Sequence, residues 1–203
     1  MRDLLYDLSR PLRAIVKRWG PSRLKQAAWH AEYKRGRHVH GLRGLQRSRI
    51  CDVIERYAGG GDVLDLGCGD GHVGLGLHPE KYHTYAGVDI SEIGVREAVA
   101  KCQAVGEGRS EKNTFCAADI STYRPGHPVD IVLFKDSLYY VNRLEMLRVL
   151  SELQTFLKPS GVFIVEMDDV KRHGWIRDLI RQHFRVLEDS EDLQGDWMQL
   201  VFR

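Results

Sequence analysis

From Gly61 onward, short β-rich apolar runs alternate with stretches whose apolar residues recur every three or four positions, the pattern of a parallel α/β sheet. The runs predict seven strands, over residues 62–66, 84–88, 113–117, 130–134, 162–166, 184–187 and 198–202. Between them, residues 92–105 and 143–157 carry helical periodicity, and Leu144, Leu147, Leu150, Leu153 and Leu157 form the apolar stripe of the second. Pro159-Ser160-Gly161 supplies a turn after that helix, and the glycines at 106 and 108 close the first. Ahead of the sheet, residues 11–19, 22–33 and 44–57 read as helices, broken by Pro11, Gly20-Pro21 and the stretch 36–44. Leu12, Ile15, Val16 and Trp19 make a narrow apolar stripe flanked by Arg13, Lys17 and Arg18. The pattern suits packing on the body as a lid, and it is also compatible with a helix lying on a membrane surface.

A chain of 203 residues has room for one domain with a sizeable core. The expected division is a basic helical extension or lid over residues 1–57 and a sheet core over 58–203. No apolar run approaches the ~20 residues of a membrane span, and Met1-Arg2-Asp3 is not followed by a signal-peptide core, so a cytoplasmic location is expected. Cys51, Cys68, Cys102 and Cys116 show no paired spacing, which argues for reduced, mostly structural cysteines and against zinc. The small net charge conceals an asymmetry. Residues 1–50 hold thirteen Lys/Arg against three Asp/Glu, and the rest seventeen against twenty-five. Such a basic quarter can attract phosphate, nucleic acid or anionic lipid, or lie against the acidic body of its own fold.

The most informative stretch is Val63-Leu64-Asp65-Leu66-Gly67-Cys68-Gly69-Asp70-Gly71, a strand running into a glycine turn that lets a ligand approach the backbone. A dinucleotide fingerprint would need glycine where His72 stands. Asp65 narrows the ligand further. Facing a pyrophosphate it would cost on the order of a few kcal/mol, whereas beside an ammonium group the same charge attracts. The cofactor should therefore carry an amine there and no phosphate. Asp89 ends the next strand, twenty-two residues after Gly67, where an acid can accept from both ribose hydroxyls. Ser91 suits the N-cap of the following helix better than Asp89 does. After the third strand, Asp119 stands where an adenine amino group could donate to it.

Together these stretches resemble the class I S-adenosylmethionine-dependent methyltransferases from about Val63 to Arg203. The resemblance rests on the Asp65-Gly67-Gly69-Gly71 loop, Asp89, Asp119, the run Val129 to Phe134, and Leu157-Lys158-Pro159-Ser160-Gly161-Val162. It implies a Rossmann-like three-layer α/β/α sandwich, with a seven-stranded sheet in order 3-2-1-4-5-7-6 and the seventh strand antiparallel. The loop would cradle the methionine moiety, Asp89 the ribose and Asp119 the adenine, with Cys68, Ile90, Ile120 and Lys135 completing the cofactor's surroundings. S-adenosylmethionine would leave as S-adenosylhomocysteine.

Ligands of open α/β sheets lie beyond the carboxyl ends of the strands, so residues 134–140 are the first place to seek chemistry. Asp136 could accept an acceptor proton, meet the cofactor through water, or cap the next helix. His173, read as part of a loop after the fifth strand, has a suitable intrinsic pKa for a base; His38 and His40 are weaker candidates. Trp29, Tyr33, Arg37 and Tyr139 are expected to line the acceptor's side, Arg37 as an anion contact. The Asn/Asp-Pro-Pro-Tyr signature of many base amino-methyltransferases is replaced by Phe134-Lys135-Asp136-Ser137, and no metal-ligand spacing is evident. The expected enzyme methylates an oxygen of a small metabolite, sugar or other anionic acceptor, phosphorylated or lipid-linked acceptors included. A nucleic-acid-directed enzyme and a non-catalytic cofactor-binding protein are the alternatives.

Overall fold

Strands buried on both faces need apolar side chains at every position, and here that requirement selects runs rich in Val, Ile, Leu and Phe. The computed structural model describes residues 10–36, 47–106 and 108–203. Its elements in chain order are α1 (Arg10–Trp19), α2 (Ser22–Lys34), α3 (Arg49–Ala58), β1 (Val63–Leu66), α4 (His72–Gly76), β2 (Tyr85–Asp89), α5 (Glu92–Val105), α6 (Arg109–Lys112), β3 (Asn113–Ala117), β4 (Val129–Lys135), α7 (Met146–Gln154), β5 (Leu157–Asp168), α8 (Val170–His183), β6 (Val186–Glu191) and β7 (Trp197–Phe202). The seven strands form one sheet in order 3-2-1-4-5-7-6, with β7 antiparallel to both neighbours, as the resemblance implies.

Strand alternation sends successive side chains to opposite layers. Leu64, Val132, Phe134, Phe163 and Val165 pack with Met146, Val149, Leu150 and Leu153 of α7 and with Ile176 and Ile180 of α8. Val63, Ile131, Leu133, Val162 and Ile164 face the other way, onto Ile50, Cys51 and Ile54 of α3. Asp65 shares the parity of Val63, and this brings it to the hydroxyl of Tyr85 in the α3 layer.

Several boundaries differ from expectation, each for a physical reason. α7 is shorter than 143–157: Leu144 is 85% exposed, Leu157 opens β5, and the buried face is Met146, Val149, Leu150 and Leu153. Pro159-Ser160-Gly161 does not end an element but is absorbed as an irregularity inside β5. There the register with β4 passes from Val129↔Leu157 to Ile131↔Val162. α3 begins at Arg49 rather than at 44, because Arg47 and Ser48 are not helical; Arg47 reaches forward to pair with Asp52 and Glu55, and residues 44–46 lie outside the described set.

The segment after β5 is a helix, not a loop. Asp169 caps α8 by accepting from the Arg172 amide at 3.1 Å, and His173, Ile176 and Ile180 are buried at helical spacing. α1 also departs from simple packing of its apolar stripe. Leu12, Ile15 and Trp19 are exposed, whereas Lys17 is buried, 3.5 Å from Glu32 and 3.9 Å over the ring of Trp29. Among the described residues no helix is long and apolar enough to cross a membrane.

Candidate active site

The chain leaves β1 through a turn that only glycine accommodates. Gly67 has φ +96° and Gly69 φ +58°, and a Cβ on Gly67 would stand 2.3 Å from Cβ of Ser137. The amides of Gly67 and Cys68 donate to the Val88 carbonyl at 2.7 and 3.0 Å, and Ser137 Oγ donates to the Leu66 carbonyl. The turn is thus pinned to β2 and to the end of β4. A cavity of about 390 Å³ opens over it, lined by Asp65, Gly67, Cys68, Gly69, Asp89, Ile90, Asp119, Ile120 and Lys135 among others. Gly71, expected in the same cradle, is not part of the lining. It starts α4 at φ +78°, and a Cβ there would meet Ala98 and Phe115, so its role is packing.

Three acids punctuate this cavity at the ends of successive strands. Asp65 is fully buried; Oδ2 accepts from Tyr85, and Oδ1 has no hydrogen-bond partner among the described residues. Burial pushes its carboxyl up to about 7, against the pull of the Tyr85 hydroxyl and of Lys135. A buried orphan acceptor on a reluctant carboxylate is the complement of an ammonium group, which would supply both the missing donors and the compensating charge. Asp89 accepts from the amides of Gly69 (3.0 Å) and Ser91 (2.8 Å), and burial lifts its carboxyl to about 6. A carboxylate has about four acceptor positions, so these two bonds orient Asp89 and leave capacity for vicinal hydroxyls. Ser91 is the cap of α5, as expected, accepting from Gly94 at 3.4 Å.

Asp119 is engaged from α2, by Ser22 Oγ at 2.8 Å and Lys25 Nζ at 3.9 Å. Burial opposes its charge, but the Ser121 amide, Ser22 and Lys25 outweigh it and hold the carboxyl below its ordinary range. α2 also lays Trp29 and Tyr33 over the cavity; Tyr33 Oη is 2.9 Å from where a Cβ of Gly69 would be, and burial followed by the nearby Asp89 raises its hydroxyl strongly. Trp29 and Tyr33 therefore stand on the cofactor-like cavity itself. Arg37, His38 and His40 lie outside the described residues.

Lys135 and Asp136 follow β4. Lys135 Nζ pairs with Asp136 (2.9 Å) and Glu166 (3.2 Å), and these carboxylates outweigh burial to raise its pKa. Asp136 lines the cavity at φ +51°, with Oδ1 accepting from the Asp168 amide at 3.1 Å. It is not a helix cap: the 3₁₀ turn Leu138–Tyr140 starts at Ser137.

A second cavity, also about 390 Å³, lies under α1 and α8. Lys17 and Tyr140 line both cavities, so the two meet there. Tyr139 and His173 belong to the second, with their rings stacked at 4.2 Å and 15°. His173 is buried, its Nδ1 has no partner, and burial, then Arg172, lowers its pKa below 6.5. Burial thus favours the neutral imidazole. Sequence reasoning gave no site role to Lys17, Ser22 and Lys25, and none to Tyr140 beyond its place in the stretch 134–140. Only Tyr140 carried a signal, as the neighbour of Tyr139; the other three depend on how α1 and α2 dock.

The model of a methyltransferase domain family matches residues 42–199. Among curated proteins, 130 residues are 35% identical to a trans-aconitate 2-methyltransferase of Enterobacter sp. (62% of this chain, 48% of that protein). Another 131 are 30% identical to mRNA cap guanine-N(7) methyltransferase 1 of Oryza sativa subsp. japonica (58% and 36%). The chain spans about half or less of the length of these relatives. Among solved structures, an S-adenosylmethionine-dependent methyltransferase from Clostridium acetobutylicum superposes with TM-score 0.65 at 15% identity, covering 90% of this chain and 99% of that one. Magnesium protoporphyrin IX methyltransferase of Synechocystis with bound S-adenosylmethionine gives 0.66 at 20% identity, covering 90% and 96%. At these identities the shared feature is the fold.

Proposed function

This chain belongs to the methyltransferase domain family, and from that premise we propose that it transfers a methyl group from S-adenosylmethionine to an oxygen of a small anionic acceptor. The observation that carries the reading is the buried, unpartnered Oδ1 of Asp65 beside the glycine turn, in a cavity that meets a second one at Lys17 and Tyr140. When bound, S-adenosylmethionine supplies a methyl group already activated on a sulfonium, which leaves alignment as the protein's main task.

In this reading Asp65 receives the α-ammonium group, Asp89 the ribose hydroxyls, and Asp119 with Ile90 and Ile120 the adenine end. Trp29 and Tyr33 exclude water from above. The acceptor occupies the second cavity. His173, on the lining of that cavity, takes a hydroxyl proton where the acceptor is an alcohol, and plays no acid–base part where it arrives as a carboxylate. Asp136, held between Lys135 and the Asp168 amide, positions rather than accepts a proton. An oxygen acceptor of anionic character agrees with the cations Lys17, Arg18 and Arg172 lining that cavity and with the relative named for trans-aconitate. The relative named for an mRNA cap makes nucleic acid the competing acceptor; binding that weakens steeply with salt would mark it.

Isothermal titration with S-adenosylmethionine and S-adenosylhomocysteine tests the core of the reading. Micromolar binding is expected, with Asp89→Ala weakening it at least about tenfold, equivalent to about 1.4 kcal/mol. Radiolabelled methyl transfer to a panel of small carboxylic and hydroxy acids then identifies the acceptor. Failure of both ligands to bind, with NADH binding instead, would overturn the proposal.

A further inference from the structure

Three arginines from separate elements converge beside the second cavity. Arg18 at the end of α1 and Arg172 of α8 line the cavity. The guanidinium of Arg143, which precedes α7, lies 4.5 Å from the ring centroid of Trp175, and that of Arg18 lies 5.4 Å from the same ring. The Trp175 face thus holds two cations at once. Among the described residues none of the three guanidiniums forms an ion pair, and Arg18 Nε is a buried donor with no partner. Burial, then Arg143 and Arg172, lowers the pKa of Arg18, the mark of cations pressed together.

Three acids, Glu32, Asp168 and Asp169, line the same cavity. Glu32 pairs with Lys17, the Asp169 carboxylate caps α8, and Asp168 adjoins Asp136. Burial followed by Asp136 raises the Asp168 carboxyl from its ordinary value. Two guanidiniums on a cavity lining, neither in an ion pair among the described residues, with a third close behind, complement the planar or tetrahedral oxygens of an anion.

We propose that Arg18 and Arg172, with Arg143 behind them on Trp175, form an anion subsite that grips a carboxylate or phosphate of the acceptor while its other end reaches the junction at Lys17 and Tyr140. This rests on the reading of the second cavity as the acceptor's, and it restricts the substrate to small molecules with an anionic group remote from the methylated atom. Arg143 acts from behind, through the charge it adds and through its hold on Trp175.

Titration of the full chain with tricarballylate and with inorganic pyrophosphate, each with and without saturating S-adenosylhomocysteine, tests the subsite. Arg172→Gln and Arg143→Gln should each weaken anion binding at least tenfold. Lys171→Gln, which removes a neighbouring charge on α8, should change it less than twofold, and Kd for S-adenosylhomocysteine should stay within twofold in all three variants. Binding of tricarballylate alone assigns the subsite to carboxylates, of pyrophosphate alone to phosphate, and of both to either. The subsite is refuted if neither anion binds, or if Lys171→Gln weakens binding as much as the arginine variants do. Loss of S-adenosylhomocysteine binding with anion binding intact would instead sink the methyl-transfer reading and leave the subsite standing.

Discussion

Asp65 carries the most information of any single residue, and its titration gives a signed prediction. The native carboxyl keeps its proton up to about pH 7, whereas the unfolded one releases it near 3.8. Between those values the native state binds more protons, so stability declines as pH rises across the window, by as much as about 4 kcal/mol. Asp89, raised to about 6, adds a slope of the same sign. Urea denaturation from pH 4 to 8 should show the decline, and Asp65→Asn should reduce it to the part due to Asp89. Cofactor affinity should run the other way. Pairing with an ammonium requires the carboxylate, so Kd should rise by up to about tenfold per pH unit below 7 and level off above it. 5′-Methylthioadenosine, which lacks the amino acid, should bind without that dependence; an equal dependence would remove Asp65 from the ammonium's neighbourhood. That Asp65, Asp89 and Asp119 would meet at one cavity was legible in the sequence because each sits at a fixed offset from a glycine or a strand end. The burial of Lys17 was not, because nothing in its own segment distinguishes the face that docks from the face that does not.

At the scale of elements, the glycine turn and the strands were readable because local chemistry determines them: an apolar run bounded by residues that tolerate positive φ. α8 was hidden by its composition. Lys171, Arg172, Gly174, Arg177, Asp178 and Arg181 interrupt the helical period, and only Asp169 with Ile176, Leu179 and Ile180 betrays it. β5 was read short because Pro159 and Gly161 normally break a strand, whereas here the register shift against β4 absorbs them. The turn itself yields a paired test. Gly67→Ala combines a φ of +96° with a Cβ 2.3 Å from Ser137, and should cost about 2 kcal/mol or more while abolishing cofactor binding. Gly71→Ala, whose Cβ meets Ala98 at 3.0 Å away from the cavity lining, should also destabilise the protein but leave Kd for the cofactor within a few fold. Denaturation midpoints and titration on the same samples separate the two effects.

For the molecule as a whole, the sheet order followed from the resemblance, and the basic N-terminal quarter was evident from charge alone. How that quarter sits on the core was beyond the sequence, since a segment of one sign can face solvent, a ligand or acidic groups of its own fold with equal local logic. The structure divides its cations among these: Lys25 turns to Asp119, Lys17 to Glu32, and Arg18 to the arginine cluster. The double duty of Lys17, lining both cavities from one helix, has a kinetic consequence. Side chains of α1 and α2 line both cavities, so in the proposed reading donor and acceptor lie under the same two helices. On that proposal an acceptor lodged beneath α1 would block exchange of the donor behind it, and turnover should obey a compulsory order, donor first in and its demethylated product last out. Product-inhibition plots distinguish this from random entry: S-adenosylhomocysteine should compete with S-adenosylmethionine and act as a mixed or noncompetitive inhibitor against the acceptor, with the methylated product showing no competition against either substrate.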